Sequence, residues 1–275
     1  MKLSLTKAFF SIFLTISIMH IFAVKSHAVN SDSEGAEKTL SAPCYKCRVL
    51  SQIKHDSRAF TEGLFIYDGL LYETTGRHGS SSLRSSSLKT GKTIRSRKIE
   101  KKYFGEGSCI YGNKIFVLTW TQKTCLIFSS FDFKLLRKIK YTGQGWGLTR
   151  DGKNLIQSNG SDILTVRDPE SFAKLHTIAV RDGSSAVKEL NELEYVDGLI
   201  LANIWRKDLI AAISPESGRV QFWIDISALR PAAGESAEVA NGIAWDSENK
   251  KLYVTGKLWN RIFEIKWPIE SEGQN

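Results

Sequence analysis

The sequence predicts an all-β fold, a five-bladed β-propeller closed by an N-terminal strand in the last blade. Three observations carry this. Beyond residue 48 there is almost no helical periodicity, and short apolar runs rich in β-branched and aromatic residues are punctuated by turn residues about every 8 to 12 positions. One plan recurs five times: a polar residue beside a glycine, a short strand, a tight turn, then an apolar strand. Aligned at Glu62, Glu106, Trp146, Asn191 and Asn241, the spacings are 44, 40, 45 and 50 residues, a period suited to four short strands per unit.

Residues 1–28 read as a secretory signal peptide, with a basic start at Lys2 and Lys7, an apolar run from Ala8 to Val24 and the cleavage site Ser26-His27-Ala28. The alternative is an uncleaved anchor, although the apolar run is about as short as a spanning helix can be. Cleavage predicts an exported protein, periplasmic or secreted. Residues 29–47, polar and Pro-containing, are expected to form a flexible arm. Arg48 to His55 is strand-like but precedes the first repeat, so it is expected to pair into the final blade and remove the exposed edges. The propeller then fills 48–268, and 269–275 form a C-terminal tail. The second repeat divides into strands at Ser108 to Tyr111, Lys114 to Trp120, Thr124 to Ser129 and Leu135 to Tyr141. In the last repeat Phe263, Ile265 and Trp267 alternate onto one strand face. Asp68-Gly69 and Asp197-Gly198 are hairpin dipeptides.

The net charge of +9, from 38 basic and 29 acidic side chains, suggests nucleic acid or a membrane surface as a partner. Three of those charges leave with the signal, and the densest basic stretch, 84–102, falls on outer strands without interleaved aromatics. No nucleic acid is expected as a partner, nor any membrane after signal cleavage. Outside the signal the histidines are His55, His78 and His176, in no ligand spacing, and there is neither a nucleophile elbow nor a phosphate loop. No metal and no cofactor is therefore expected. Cys44 and Cys47 are expected to be a local disulfide or idle thiols. Cys109 and Cys125 fall on strands with another between them, too far apart to bond.

In a propeller, residues opening the inner strand and residues ending the next strand gather at one mouth of the channel. Register puts Glu62, Glu106, Trp146, Asn191 and Asn241 on one ring, with Glu73, Trp120, Asn159, Trp205 and Lys257 near it. An aromatic-lined mouth with a few convergent polar groups is how a small-molecule site is built. The other four of the seven tryptophans, Trp223, Trp245, Trp259 and Trp267, read as core.

These residues also carry a resemblance. Phe60-Thr61-Glu62-Gly63-Leu64, Phe104-Gly105-Glu106-Gly107, Gly145-Trp146-Gly147-Leu148-Thr149, Ala202-Asn203-Ile204-Trp205 and Thr255-Gly256-Lys257-Leu258-Trp259, in this order and at this spacing, resemble the plant and bacterial type of glutaminyl-peptide cyclotransferase. The likeness spans about residues 48 to 267. It implies a five-bladed propeller that converts N-terminal glutamine of peptides or proteins to pyroglutamate, releasing ammonia without a metal. It further implies Glu106 as acid and base, Trp120, Trp146 and Trp205 as walls, and Asn191 and Lys257 as polar contacts to the amide. The chain is expected to work as a monomer.

The chemistry fits those residue types. The substrate amine attacks its own carboxamide, so one carboxyl group can take the amine proton and then supply the proton with which ammonia leaves. Attack is already intramolecular, which leaves the walls to select the ring-closing conformer. Glu62 is a departure, since the family often has Gln there. A second carboxylate beside Glu106 raises one of the two pKa values, and Glu62 is expected to hold the substrate ammonium or to share a proton with Glu106. The competing reading is a secreted, non-catalytic peptide-binding propeller. A metal-dependent lactonase propeller would lack its ligands.

Overall fold

The computed structural model describes residues 40–269. The expected signal peptide, residues 29–39 of the arm and residues 270–275 of the tail lie outside the described residues.

Five antiparallel sheets follow one another along the chain. Blade 1 runs through Thr61–Tyr67, Leu70–Thr75, Ser82–Ser87 and Thr93–Lys98, and blade 2 through Gly105–Tyr111, Lys114–Thr119, Thr124–Ser129 and Leu135–Lys140. Blade 3 has Leu148–Arg150, Leu155–Gln157, Ile163–Arg167 and Lys174–Ala179, and blade 4 has Leu190–Val196, Leu199–Ile204, Leu209–Ile213 and Val220–Asp225. Blade 5 takes Ala240–Asp246, Lys251–Gly256 and Arg261–Ile265 from the end of the chain and its outer strand, Val49–Lys54, from the beginning. The expected closure is therefore present, with Val49 opposite Ile265 and Lys54 opposite Arg261. Inner strands neighbour one another in chain order, and the fifth packs against the first.

The packing follows from strand alternation. In Lys114–Thr119, Ile115 and Val117 enter a cluster shared with blade 1, while Phe116 and Leu118 enter one shared with blade 3. Both faces are covered, which is why such strands read as unbroken apolar runs. Five apolar clusters result, one between each pair of neighbouring blades. Hairpins keep the strands short: Asp68 and Gly69, like Asp197 and Gly198, both have positive φ, the twist a two-residue turn needs.

The seam between blades 5 and 1 has the smallest apolar cluster, and a buried polar cluster supplements it. Glu73 accepts from Arg84 Nε at 2.7 Å and from Thr61 Oγ1 at 2.7 Å, and its carboxylate lies 3.1 Å from His55 Nε2. His55 Nδ1 donates to the Trp259 carbonyl at 2.8 Å, and Arg84 also reaches Asp56 at 3.1 Å. Burial alone would raise the Glu73 carboxyl, but the charges of Arg84 and His55 and the hydrogen bonds of His55 and Thr61 hold it well below the usual range.

This corrects three expectations. Glu73 is a structural anion in the closing seam and does not reach the mouth. Arg84, counted with the outer basic stretch, is buried as its partner; Thr93–Lys98 is exposed throughout, as expected of an outer strand. The arm is docked at its end: Cys44–Lys46 adds a fifth, parallel strand to blade 4, and Ser41 and Ala42 donate backbone N–H groups to buried Asp182, both at 2.8 Å. An unpaired sheet edge offers any extended segment a row of hydrogen bonds, and that outweighs the local composition. Because Cys44 lies in an extended strand, Cys47 falls beyond disulfide reach, and both are free thiols raised by burial. Cys109 and Cys125 are buried free thiols on strands with Lys114–Thr119 between them.

Candidate active site

The inner strands carry a device invisible in composition. In four blades the register with the next strand breaks at the repeat position: between Thr61 and Gly63, Gly105 and Ser108, Leu190 and Leu193, and Ala240 and Ile243. A bulge re-aims the extra residue, and here it turns Glu62, Glu106, Asn191 and Asn241 out of the alternation. In blade 3 the inner strand starts later, and Trp146 precedes it, its N–H on Ser158 O at 3.1 Å.

A second ring is set by backbone bonds: Trp120 N donates to Phe104 O, Trp205 N to Glu189 O, Lys257 N to Val239 O, and Gly76 N to Phe60 O. The blade 1 member is thus Gly76, three residues beyond Glu73. A Cβ on Gly76 would stand 2.4 Å from the Phe104 ring and 2.9 Å from Glu62 Cγ, so only glycine leaves room for both.

The two rings enclose a cavity of about 340 Å³ lined by Phe60, Glu62, Phe104, Glu106, Trp120, Trp146, Asn191, Trp205, Arg206, Glu238, Val239 and Lys257. All seven sequence-derived site residues line it. Asn159 does not; its side chain caps the turn at Ser161. Asn241 lies one layer below, buried, its Nδ2 on Glu62 Oε2 and on Thr61 O, both at 3.0 Å. Phe60, Phe104, Arg206, Glu238 and Val239 were not singled out from the sequence; the phenylalanines sit inside its strongest motifs, whereas the exposed residues carry no local signal. Trp223, Trp245 and Trp259 are buried and Trp267 packs on the same core, so the division of the tryptophans holds.

At the cavity floor Lys257 Nζ donates to Glu62 Oε1 at 2.8 Å, and the Glu62 and Glu106 carboxyls share a hydrogen bond. Burial pushes both carboxyls above the ordinary range. The Glu62 charge raises Glu106 further, while the Lys257 ammonium draws Glu62 back. Glu62 is raised to about 7 and Glu106 well above its ordinary range, so the pair is arranged for Glu106 to donate to Glu62. Lys257 also lies 4.6 Å from the Phe60 ring centre. The Asn191 carboxamide, buried, has no hydrogen-bond partner among the described residues and is free for a ligand. Trp146 meets Trp205 edge to face at 5.7 Å between ring centres, and Trp120 meets Phe104 likewise at 5.7 Å. Among the described residues no group of three or more His, Cys, Asp or Glu side chains is arranged to hold a metal ion.

Known proteins share the sequence and the fold. The family model for glutamine cyclotransferase matches residues 19–267. A glutaminyl-peptide cyclotransferase of Arabidopsis thaliana is 38% identical over 244 residues, covering 85% of this chain and 75% of that protein. The crystal structure of Myxococcus xanthus glutaminyl cyclase superposes with a TM-score of 0.77 at 32% identity, covering 82% of this chain and 97% of that one. With a five-bladed propeller and a family match from residue 19 to the end of the last blade, the chain belongs to the glutamine cyclotransferase family.

Proposed function

We propose that this protein is a glutaminyl-peptide cyclotransferase, an acyltransferase that closes the N-terminal glutamine of peptides or proteins to pyroglutamate and releases ammonia. The observation that carries the proposal is a buried carboxyl, Glu106, beside a second one, Glu62, that accepts from Lys257 Nζ at 2.8 Å, inside an aromatic-walled cavity.

The free α-amine, with a pKa of about 8, is present as a minor fraction at neutral pH. It attacks the γ-carbonyl carbon, and the carbonyl electrons move onto oxygen, where Asn191 Nδ2 and Lys257 Nζ stabilise the charge. Glu106 gives its proton to the carboxamide nitrogen and takes the proton shed by the new ring nitrogen, so the C–N bond to ammonia breaks while the lactam forms. Glu106 ends as it began. Positioned proton transfer of this kind contributes about 10² to 10⁴ in rate. Trp120, Trp146 and Trp205 hold the side chain folded back on its own amine. Glu62 favours the proton on Glu106 and faces the substrate ammonium before it loses its proton.

Residues 48–268 form the catalytic domain in this reading, acting as a monomer after residues 1–28 are removed in export to the periplasm or the exterior. The basic, then apolar, then small-residue order of 1–28 supports export. Among the described residues no helix is long and apolar enough to cross a membrane. Incubation with a Gln-initiated peptide should show loss of ammonia by mass, unaffected by a chelator, and Glu106→Gln should abolish it while the circular dichroism spectrum stays unchanged. Binding without mass loss would instead favour the non-catalytic peptide-binding propeller.

A further inference from the structure

Of the five charged side chains lining the cavity, four are paired within the protein: Glu62 with Lys257 and Glu106, and Glu238 with Arg77 across the rim at 3.4 Å. Arg206 has no carboxylate partner among the described residues. Its guanidinium lies 4.2 Å from the centre of the Trp205 ring, the wall that meets Trp146. Its backbone is left-handed, φ 63°, an uncommon state for a side-chain-bearing residue, in the turn closed by Lys207 N on Ile204 O. A stacked guanidinium keeps its N–H edge free to take a carboxylate in two parallel bonds. We propose that Arg206 forms a rim subsite for an acidic side chain just downstream of the cyclising glutamine. This rests on the cyclotransferase reading, because the reacting residue on the floor leaves the rest of the peptide at the rim.

The test compares kcat/KM for Gln-Glu and Gln-Lys peptides of equal length in wild type and in Arg206→Gln. The expected result is a preference of about five-fold or more for Gln-Glu at low salt, weakening at high salt and falling below two-fold in the variant. Equal rates in the wild type, or a preference that survives in the variant, overturn the subsite. If neither peptide is cyclised, the cyclotransferase reading itself fails, and titration of the same two peptides by calorimetry still decides whether Arg206 discriminates.

A different observation carries a positioning residue. The Gln144 side-chain oxygen accepts two indole N–H groups, Trp120 Nε1 at 2.9 Å and Trp146 Nε1 at 3.0 Å. Trp120 is 39% exposed, so packing alone does not fix it. Gln144 is held from behind: its carbonyl accepts from buried Gln157 Nε2 at 2.9 Å, and Gln157 Oε1 accepts from buried Arg167 Nε at 2.6 Å. We infer that Gln144 sets the spacing of two walls on different blades and so the folded shape of substrate that fits between them. Gln144→Leu should lower kcat about ten-fold, with a smaller change in KM, and should increase acrylamide quenching of tryptophan fluorescence in the free protein. Gln144→Glu, which retains the acceptor oxygen, should restore both within about three-fold. Wild-type kcat and quenching in Gln144→Leu, or failure of Gln144→Glu to restore either, would overturn the role. Quenching reads the clamp even if no cyclisation occurs.

Discussion

Glu62 has two neighbours that both favour its ionised form against burial, the Lys257 ammonium and the Glu106 carboxyl, and its replacement has a definite sign. Glutamine at that position removes the charge that helps keep Glu106 protonated and leaves Lys257 without its partner, so both changes lower the Glu106 pKa. The alkaline limb of the kcat/KM profile of Glu62→Gln should move to lower pH by about one unit or more; an unmoved limb would show that the carboxyls titrate independently. Asn191 is the complementary case, an amide with a ligand-facing end and no protein partner. Removing one donor from a developing oxyanion typically costs about 10² to 10³ in kcat, so Asn191→Ala should lose about a hundred-fold in kcat with little change in thermal stability. These residues were legible because glycines flank most of them inside a repeat. Arg206 and Gln144 were not, because their roles depend on partners across a turn or on another blade.

At the scale of the strand and the blade, hydrophobic alternation and turn dipeptides mark the strands of the second repeat to within three residues, yet the bulges leave no trace in composition. Of the two misplaced ring positions, Glu73 and Asn159, the first has a plain reason: the occupant in blade 1 is Gly76, which has no side chain to draw the eye, and Glu73 is the nearest polar group. Glu73 belongs to the closing seam, where a carboxylate, a guanidinium and an imidazole stand in for apolar area. Removing one partner of a buried ion pair typically costs about 3 to 5 kcal/mol, because the other charge is left uncompensated, whereas replacing both by apolar groups is often neutral. Urea unfolding should therefore show a loss of about that size for Glu73→Ala, largely recovered in Glu73→Leu with Arg84→Leu.

Across the whole molecule, buried carboxyls also shape the pH dependence of stability. Glu192 accepts from Leu64 N and Ile243 N, tying three blades together, and its carboxyl is raised well above the ordinary range by burial and by the charge of Glu194. Burial likewise pushes Glu194 up to about 8. A group with a folded pKa above its unfolded value of about 4.3 gives its full stabilisation below that value and loses it as pH rises through the folded pKa. Glu73 is the opposite: its stabilisation is present above the unfolded pKa and lost in strong acid. Thermal unfolding should therefore peak near pH 5 and fall toward pH 9, and Glu194→Gln should flatten the fall.

Val49, near the start of the domain, hydrogen-bonds beside Ile265, near its end, and the floor ion pair joins Glu62 to Lys257. A ribosome must therefore deliver nearly the entire chain before the ring can close or the active-site charges can meet. At about 5 to 20 residues per second, the first blade waits roughly 8 to 33 seconds with one flank open. Folding dominated by such distant pairing is slow, and a chain cut short in its last blade would lack both the seam and the lysine. Activity thus reports that synthesis was completed.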